Sequence, residues 1–245
     1  MAVSSKFFVG LFVVSSMLAV LTAPLDARPR VSADNTIEFA GYTWRVKHSE
    51  GEVGPGPNVF SDRNVFVDRK GNLRLRIRNR NDVWTSSEVI LADPLGYGTY
   101  RFSIKSPVDS LDPNAVLGLF TWDDEQVQAN REIDVEFSRW GDPDNPTNAG
   151  YTVQPYFTPG NQHTWVMPSV RRTTHEFTWT ADSISFSSTD RKNNVIEQWT
   201  YTGADVPDAG AAAARMNLWL FRGDDPLGNG RLDVVISEFE FVPLN

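Results

Sequence analysis

The stretch EIDVEF, residues 132–137, sets Glu132, Asp134 and Glu136 at one parity and Ile133, Val135 and Phe137 at the other. A period of two is the pattern of a β-strand with one face on a core. Three carboxylates at alternate positions share the opposite face and repel one another, which by itself weakens a sheet. The polar face therefore calls for a role that compensates. The residues alone admit three: a solvated acidic face, a cation site, and paired-carboxylate catalysis. A hard cation such as Ca²⁺ takes roughly 6–8 oxygen ligands, which a straight strand wraps poorly; WDDEQ (122–126) and GDPDN (141–145) are looser alternatives for it. For catalysis, the strand rise puts the Cα atoms of Glu132 and Glu136 roughly 13 Å apart. Two long side chains leaning together could approach the ~5–5.5 Å of a retaining glycosidase, with Asp134 holding a neighbour protonated.

Outward from this hexapeptide, short runs rich in β-branched and aromatic residues recur at 43–47, 64–67, 73–78, 87–91, 99–105, 116–122, 150–157, 176–180, 184–187, 195–201, 216–221 and 234–241. Turn clusters separate them, among them VGPGPN (53–58), DRKGN (68–72), GDPDNPTN (141–148) and GDDPLGNG (223–230). Only DAGAAAARM (208–216) has helical composition, for about two turns. Many short strands with almost no helix predict an all-β sandwich. The basic stripe in LRLRIRNR (73–80) alternates with Leu73, Leu75 and Ile77, as the solvated face of an ordinary strand does; a polyanion groove is the competing reading.

The chain has 245 residues, eight tryptophans, no cysteine and a net charge of −8. It is long enough for one sizeable core and free of disulfide or thiolate chemistry. The acidic balance argues against a nucleic-acid partner. Lys6, the apolar run 7–21 and the small residues through Ala23 and Ala27 read as a secretory signal peptide, residues 1–27, cleaved near Ala27. The mature domain, 28–245, is then expected to be secreted or periplasmic, monomeric and without a membrane anchor. His48, His163 and His175 show no metal-ligand spacing, and no Ser-His-Asp arrangement or zinc pattern emerges.

The run Glu132–Phe137 resembles the E-[ILV]-D-[IV]-E-F signature of glycoside hydrolase family 16, the β-glucanases that include lichenases and laminarinases. YGTYRFSIKS (97–106), VLGLFTWDD (116–124) and MNLWLFRG (216–223) are similar to other segments of that family, in the same order. The resemblance implies a concanavalin A-like β-jelly roll of two curved antiparallel sheets with a glycan cleft across one of them. It assigns Glu132 the role of nucleophile, Asp134 that of assisting carboxylate and Glu136 that of general acid/base. Asn217 and Trp219 match cleft-facing positions, and their alternation with Met216, Leu218 and Leu220 independently puts them opposite the core. Glu88 stands where lichenases have a sugar-contacting glutamate. Departures are Asn130 in place of a tryptophan, Ile90 in place of a basic residue, and Thr173 and His175 in place of His and Tyr.

Flat sugar faces pack on indole rings, so Trp122 and Trp140, flanking the acidic strand, are further candidates for the cleft. Trp44, Trp84, Trp179 and Trp199 are expected in the core or against a sheet. Asn130, Gln154 and Arg222 complete the candidate binding set, Arg222 either toward a sugar hydroxyl or toward Asp224. His163 is expected at the surface. The function expected is an endo-acting retaining hydrolase of a β-linked polysaccharide, β-1,3 or mixed-linkage glucan first. It needs no cofactor, and the sequence is silent on a structural Ca²⁺. A lectin-like protein or a transglycosylase on the same fold is the alternative.

Overall fold

The structure is a computed structural model that describes Met1, residues 31–228 and residues 230–244. The signal-peptide reading falls on residues outside the described ones. Two β-sheets form the body. The first runs, strand beside strand, Thr36–Phe39, Tyr42–Val46, Val83–Leu91, Ala213–Leu220, Ala115–Trp122, Ile133–Phe137, Ala149–Val153 and Gln162–Trp165. Val59–Phe60 and Arg78–Arg80 add to it by pairing with Val83–Leu91, the former as the one parallel pairing among the named strands. The second sheet orders Val195–Tyr201, Ile184–Asp190, Thr173–Trp179, Gly98–Ile104, Asp233–Pro243, Leu73–Arg76 and Val65–Val67. This is the all-β sandwich that the strand pattern predicts, in the two-sheet jelly-roll form that the resemblance implies.

The parity rule holds where it matters. Ile133, Val135 and Phe137 are fully buried in the layer between the sheets, as are Leu117, Leu119, Met216 and Leu218 on the neighbouring strands. Aromatic contacts join the layers: Trp44 meets Phe239 edge-on at 5.0 Å, and Tyr151 stacks on Phe186 at 4.7 Å. Trp44 and Trp179 are fully buried, and Trp84 and Trp199 pack half-buried against the core. Thr173 and His175, two departures from the family pattern, also lie in this layer. The His175 ring bonds Thr173 Oγ1 at 2.8 Å and Ser188 Oγ at 2.7 Å, and Tyr151 Oη donates to Ser188 Oγ at 2.6 Å. Burial pushes the His175 pKa down to about 3, so the ring is neutral at physiological pH and completes a polar network within the core.

One turn is used twice. In DRKGN (68–72) the Asp68 carboxylate accepts the backbone N–H groups of Lys70 and Asn72, and Gly71 takes φ +76°. In DRKNN (190–194) Asp190 accepts those of Lys192 and Asn194, with Asn193 at φ +62°. Aspartate satisfies the turn's free donors, and glycine or asparagine tolerates the left-handed backbone.

Three expectations are corrected. DAGAAAARM contains no helix: Ala213, Ala214 and Arg215 open the Ala213–Leu220 strand, which pairs on both sides. A helix preference of a few tenths of a kcal/mol per residue does not outweigh two ladders and burial. The basic stripe is not one strand either. It breaks at Ile77, and Arg78–Arg80 crosses to the other sheet. Arg74 pairs with Asp68 at 3.0 Å and Asp233 at 3.5 Å, as a solvated face does rather than a polyanion groove. The strand expected over 150–157 stops at Val153, and Thr36–Phe39 and Gln162–Trp165 are strands that the pattern did not reveal.

Candidate active site

The acidic face of Ile133–Phe137 and the residue before it, Glu132, form part of the lining of an open cleft of about 310 Å³ on the outer face of the first sheet. Lys47, Gly54, Pro55, Glu88, Gly118, Phe120, Trp122, Arg215, Asn217 and Trp219 supply the rest. A second hollow of about 350 Å³, which includes Arg45 and Asp124, shares Trp122 and Arg215 with it. A small one of about 30 Å³ shares Glu136 and is bordered by Trp140 and Thr164. Together they mark a groove across the strands.

Pairing registers set the positions. Asp134 lies between Phe120 and Thr152 on the adjoining strands. Glu136 lies between Gly118 and Gly150, so neither neighbouring strand puts a side chain beside its carboxylate. On the far side of Gly118, Asn217 Oδ1 accepts the Gly118 backbone N–H at 3.1 Å. A Cβ at position 118 would stand 2.6 Å from that oxygen. Gly118→Ala should therefore displace Asn217 and cost about 1–3 kcal/mol through overpacking. Thermal unfolding checks the effect, and an unchanged Tm would show that the strand accommodates the methyl group.

Asp134 is buried and accepts a hydrogen bond from Gln154 Nε2 at 3.0 Å. Gln154 Oε1 in turn accepts the Tyr156 backbone N–H at 2.8 Å, which fixes the amide's orientation. Burial raises the pKa of each of the three acids. For Glu132 the charges of Asp134 and Glu136 add to it, carrying the group up to about 10, with the Arg215 charge acting in the opposite direction. Asp134 rises to about 7 through burial, offset in part by its bonds to Gln154 and Glu132. Glu136 is pushed well above the carboxylate range by burial and by Asp134. The three cannot all be ionised at neutral pH, so the strand holds at least one shared proton.

Glu132 follows a tight turn, Gln128–Arg131, whose four residues all have positive φ, between 47° and 59°. Such a run of non-glycine residues is costly and needs outside support. Arg131 supplies it through Asp123 at 2.7 Å and Asp208. Asn130 adds bonds from its amide to the carbonyls of Asp123 and Glu125, at 3.0 and 3.2 Å. Its side chain is therefore committed to the turn and does not line the cleft. Asp123, the buried acid of WDDEQ, is occupied by Arg131 and by the N–H groups of Glu125 and Ala211. No cluster suited to a metal ion occurs among the described residues.

Of the other candidates, Glu88, Trp122, Asn217 and Trp219 come together in the cleft. Gln154 sits beneath it through Asp134. Trp140 lies beyond Glu136, with its ring 6.4 Å from that of Trp219 and 5.5 Å from that of Phe221. Arg222 is not brought in: it is exposed, its guanidinium lies over the Phe221 ring at 4.9 Å, and no ion pair joins it to Asp224. His163 is half-buried at the sheet edge, bonding Glu197 at 3.1 Å. Lys47, Phe120 and Arg215 are cleft residues that the sequence reading missed. Arg215 was accessible to it, being at the same parity as Asn217 and Trp219; Phe120 likewise shares parity with Trp122.

No protein-family model and no curated protein matches the chain. Solved structures do. A β-glucanase from Bacillus licheniformis has a TM-score of 0.61 at 18% identity, covering 89% of this chain and 97% of that one. A Mycobacterium tuberculosis immunostimulatory antigen, described as a pseudo β-1,3-glucanase, has a TM-score of 0.63 at 19% identity, covering 89% and 95%. A glycoside hydrolase family 16 endo-glucanase from Bacteroides ovatus has a TM-score of 0.61 at 16% identity, covering 81% and 94%. The fold is thus the one that the resemblance of Glu132–Phe137 to family 16 implies.

Proposed function

We propose that the protein is a family-16 glycoside hydrolase that cleaves a β-linked glucan within the chain and with retention of configuration. The observation that carries this reading is the alignment of Glu132, Asp134 and Glu136 along the floor of an open groove, with glycines on both sides of Glu136. Setting a buried acid between two half-buried ones that repel it has an energetic cost that binding alone does not require. Glu132 attacks the anomeric carbon to form a glycosyl-enzyme while Glu136 protonates the departing oxygen. Glu136 then takes a proton from the water that releases the sugar. Asp134, anchored by Gln154, shares a proton with its neighbours and passes charge between the two steps. Trp122 and Trp219 offer ring faces to the sugars, and Asn217 and Glu88 offer polar contacts.

The same reading includes export to the periplasm or the medium, a polysaccharide as the partner, and action as a monomer. A protein that holds glycan without turnover is the second reading, prompted by the similar fold of an antigen described as a pseudo β-1,3-glucanase. Reducing-end release from β-1,3, β-1,4 and mixed-linkage glucans, galactan and xyloglucan separates the two. Product whose new anomeric centre is initially β, read by proton NMR, supports the retaining hydrolase. Glycan binding with no product from any substrate supports the second reading.

A further inference from the structure

Arg215 is a buried cation in the cleft that none of the roles above uses. It is 8% exposed. Nη1 donates to Glu88 Oε1 at 3.3 Å and Nη2 to Asp124 Oδ1 at 2.7 Å, while Nε has no acceptor. Glu88, 1% exposed, is shared with Lys47, whose Nζ donates to it at 2.9 Å and to the Gly54 carbonyl at 2.7 Å. The guanidinium lies 5.8 Å from the Trp122 ring. In register, Arg215 is opposite Phe120, and Phe120 is opposite Asp134, so the cation stands two strands from the acids on the same face.

We propose that Arg215 is a positioning residue for the reaction: its charge biases ionisation within the triplet toward Glu132, so that Glu132 is the acid that can give up its proton for attack while Glu136 keeps its own. The proposal rests on the reading of Glu132 as nucleophile. A nucleophile must be charged, yet Glu132 is half-buried beside two other acids. The charged groups around it decide the matter. Asp134 and Glu136 on its own strand both oppose its ionisation. Arg131, the preceding residue, is occupied by Asp123 and Asp208. The next strand, Ala149–Val153, contributes no charge, and Gln154 beyond it is a neutral amide. From the other side come Arg215, Lys47 and Glu88, with Asp124 at the surface. Lys47 and Glu88 largely cancel each other, which leaves Arg215 as the cation that acts on Glu132, in the direction of ionisation. Its second counter-ion, Asp124, is 78% exposed and well screened.

The test reads the carboxylates directly. Side-chain ¹³C-labelled glutamate is titrated by NMR in the wild type, Arg215→Gln and Arg215→Lys, with Glu132→Gln to assign the resonance. Arg215→Gln is expected to move the Glu132 midpoint up by about one pH unit, and Arg215→Lys to restore most of the shift. The acidic limb of kcat/KM should move with it. Asp124→Asn, at an exposed position that leaves the fold intact, should move the midpoint down by a few tenths of a pH unit, and it carries the test if Arg215→Gln does not fold. Midpoints unchanged across these variants overturn the proposal, even where activity falls. Midpoints that move in a protein without turnover on any glycan uphold the charge assignment and reject the hydrolase reading.

Discussion

Glu132→Gln is expected to lose about 10³–10⁴-fold in glucan hydrolysis without loss of fold, because an amide cannot form the glycosyl-enzyme. Glu136→Gln should lose activity on natural glucans to a similar degree. It should retain much more on an aryl glycoside, whose phenolate leaves without protonation. Small-molecule rescue separates the two roles. Azide added to Glu132→Ala would enter from the face that the carboxylate vacated and give an α-glycosyl azide. Added to Glu136→Ala, it would intercept the glycosyl-enzyme and give the β-anomer. Product NMR reads both, and equal losses with no rescue in either variant would sink the assignment. Loss through unfolding is excluded by the circular dichroism spectrum, since each amide replaces a carboxylate of the same shape.

The second large effect is on stability. Asp134→Asn should raise Tm at pH 8 and leave it nearly unchanged at pH 4. The folded-state pKa of Asp134 lies above its unfolded value, at about 7, because burial disfavours its charge. A group of this kind contributes fully below the unfolded carboxylate range, where it is protonated in both states. That contribution is lost as pH rises from about 4 toward 7, because the unfolded chain ionises freely while the folded one resists. With the proton shared among the acids, relief at pH 8 is on the order of 2 kcal/mol, or roughly 4–8 °C for a domain of this size. Asparagine can still accept the Gln154 hydrogen bond, so the packing is retained. Calorimetry at the two pH values decides the point: a Tm difference independent of pH would mean that solvent, not the protein, satisfies the acids.

The sequence made these residues legible because parity is a local property. Two faces separated by one residue can be read from EIDVEF and from MNLW without knowing any partner strand. Arg215 shares that parity, and only the helical look of the alanines before it concealed that it belongs to the strand. Lys47 closes the strand expected over 43–47, at the parity opposite Trp44 and Val46; the strand stops at Val46, and Lys47 reaches the cleft by its long side chain toward Glu88. Asn130 and Arg222 failed for a different reason. Both have left-handed backbones, at φ 59° and 57°, in turns that carry their side chains away from the face that their numbering suggested. The polar strand Gln162–Trp165 and the short Thr36–Phe39 are held by their neighbours rather than by a pattern of their own. The departure at Thr173 and His175 belongs to a core network, visible only once Ser188 and Tyr151 are in place.

The order in which the chain supplies its strands bears on synthesis. Ala213–Leu220 inserts between Val83–Leu91 and Ala115–Trp122, and Asp233–Pro243 inserts between Gly98–Ile104 and Leu73–Arg76. Each sheet thus receives an interior strand from a segment made well after the strands on either side of it. Until then both sheets are split, with open edges on either side of the gap, and neither Asn217 nor Arg215 is there to meet the acids. The carboxylate triplet consequently waits for a strand made some eighty residues later, and the groove takes shape around it only when Ala213–Leu220 has joined the sheet.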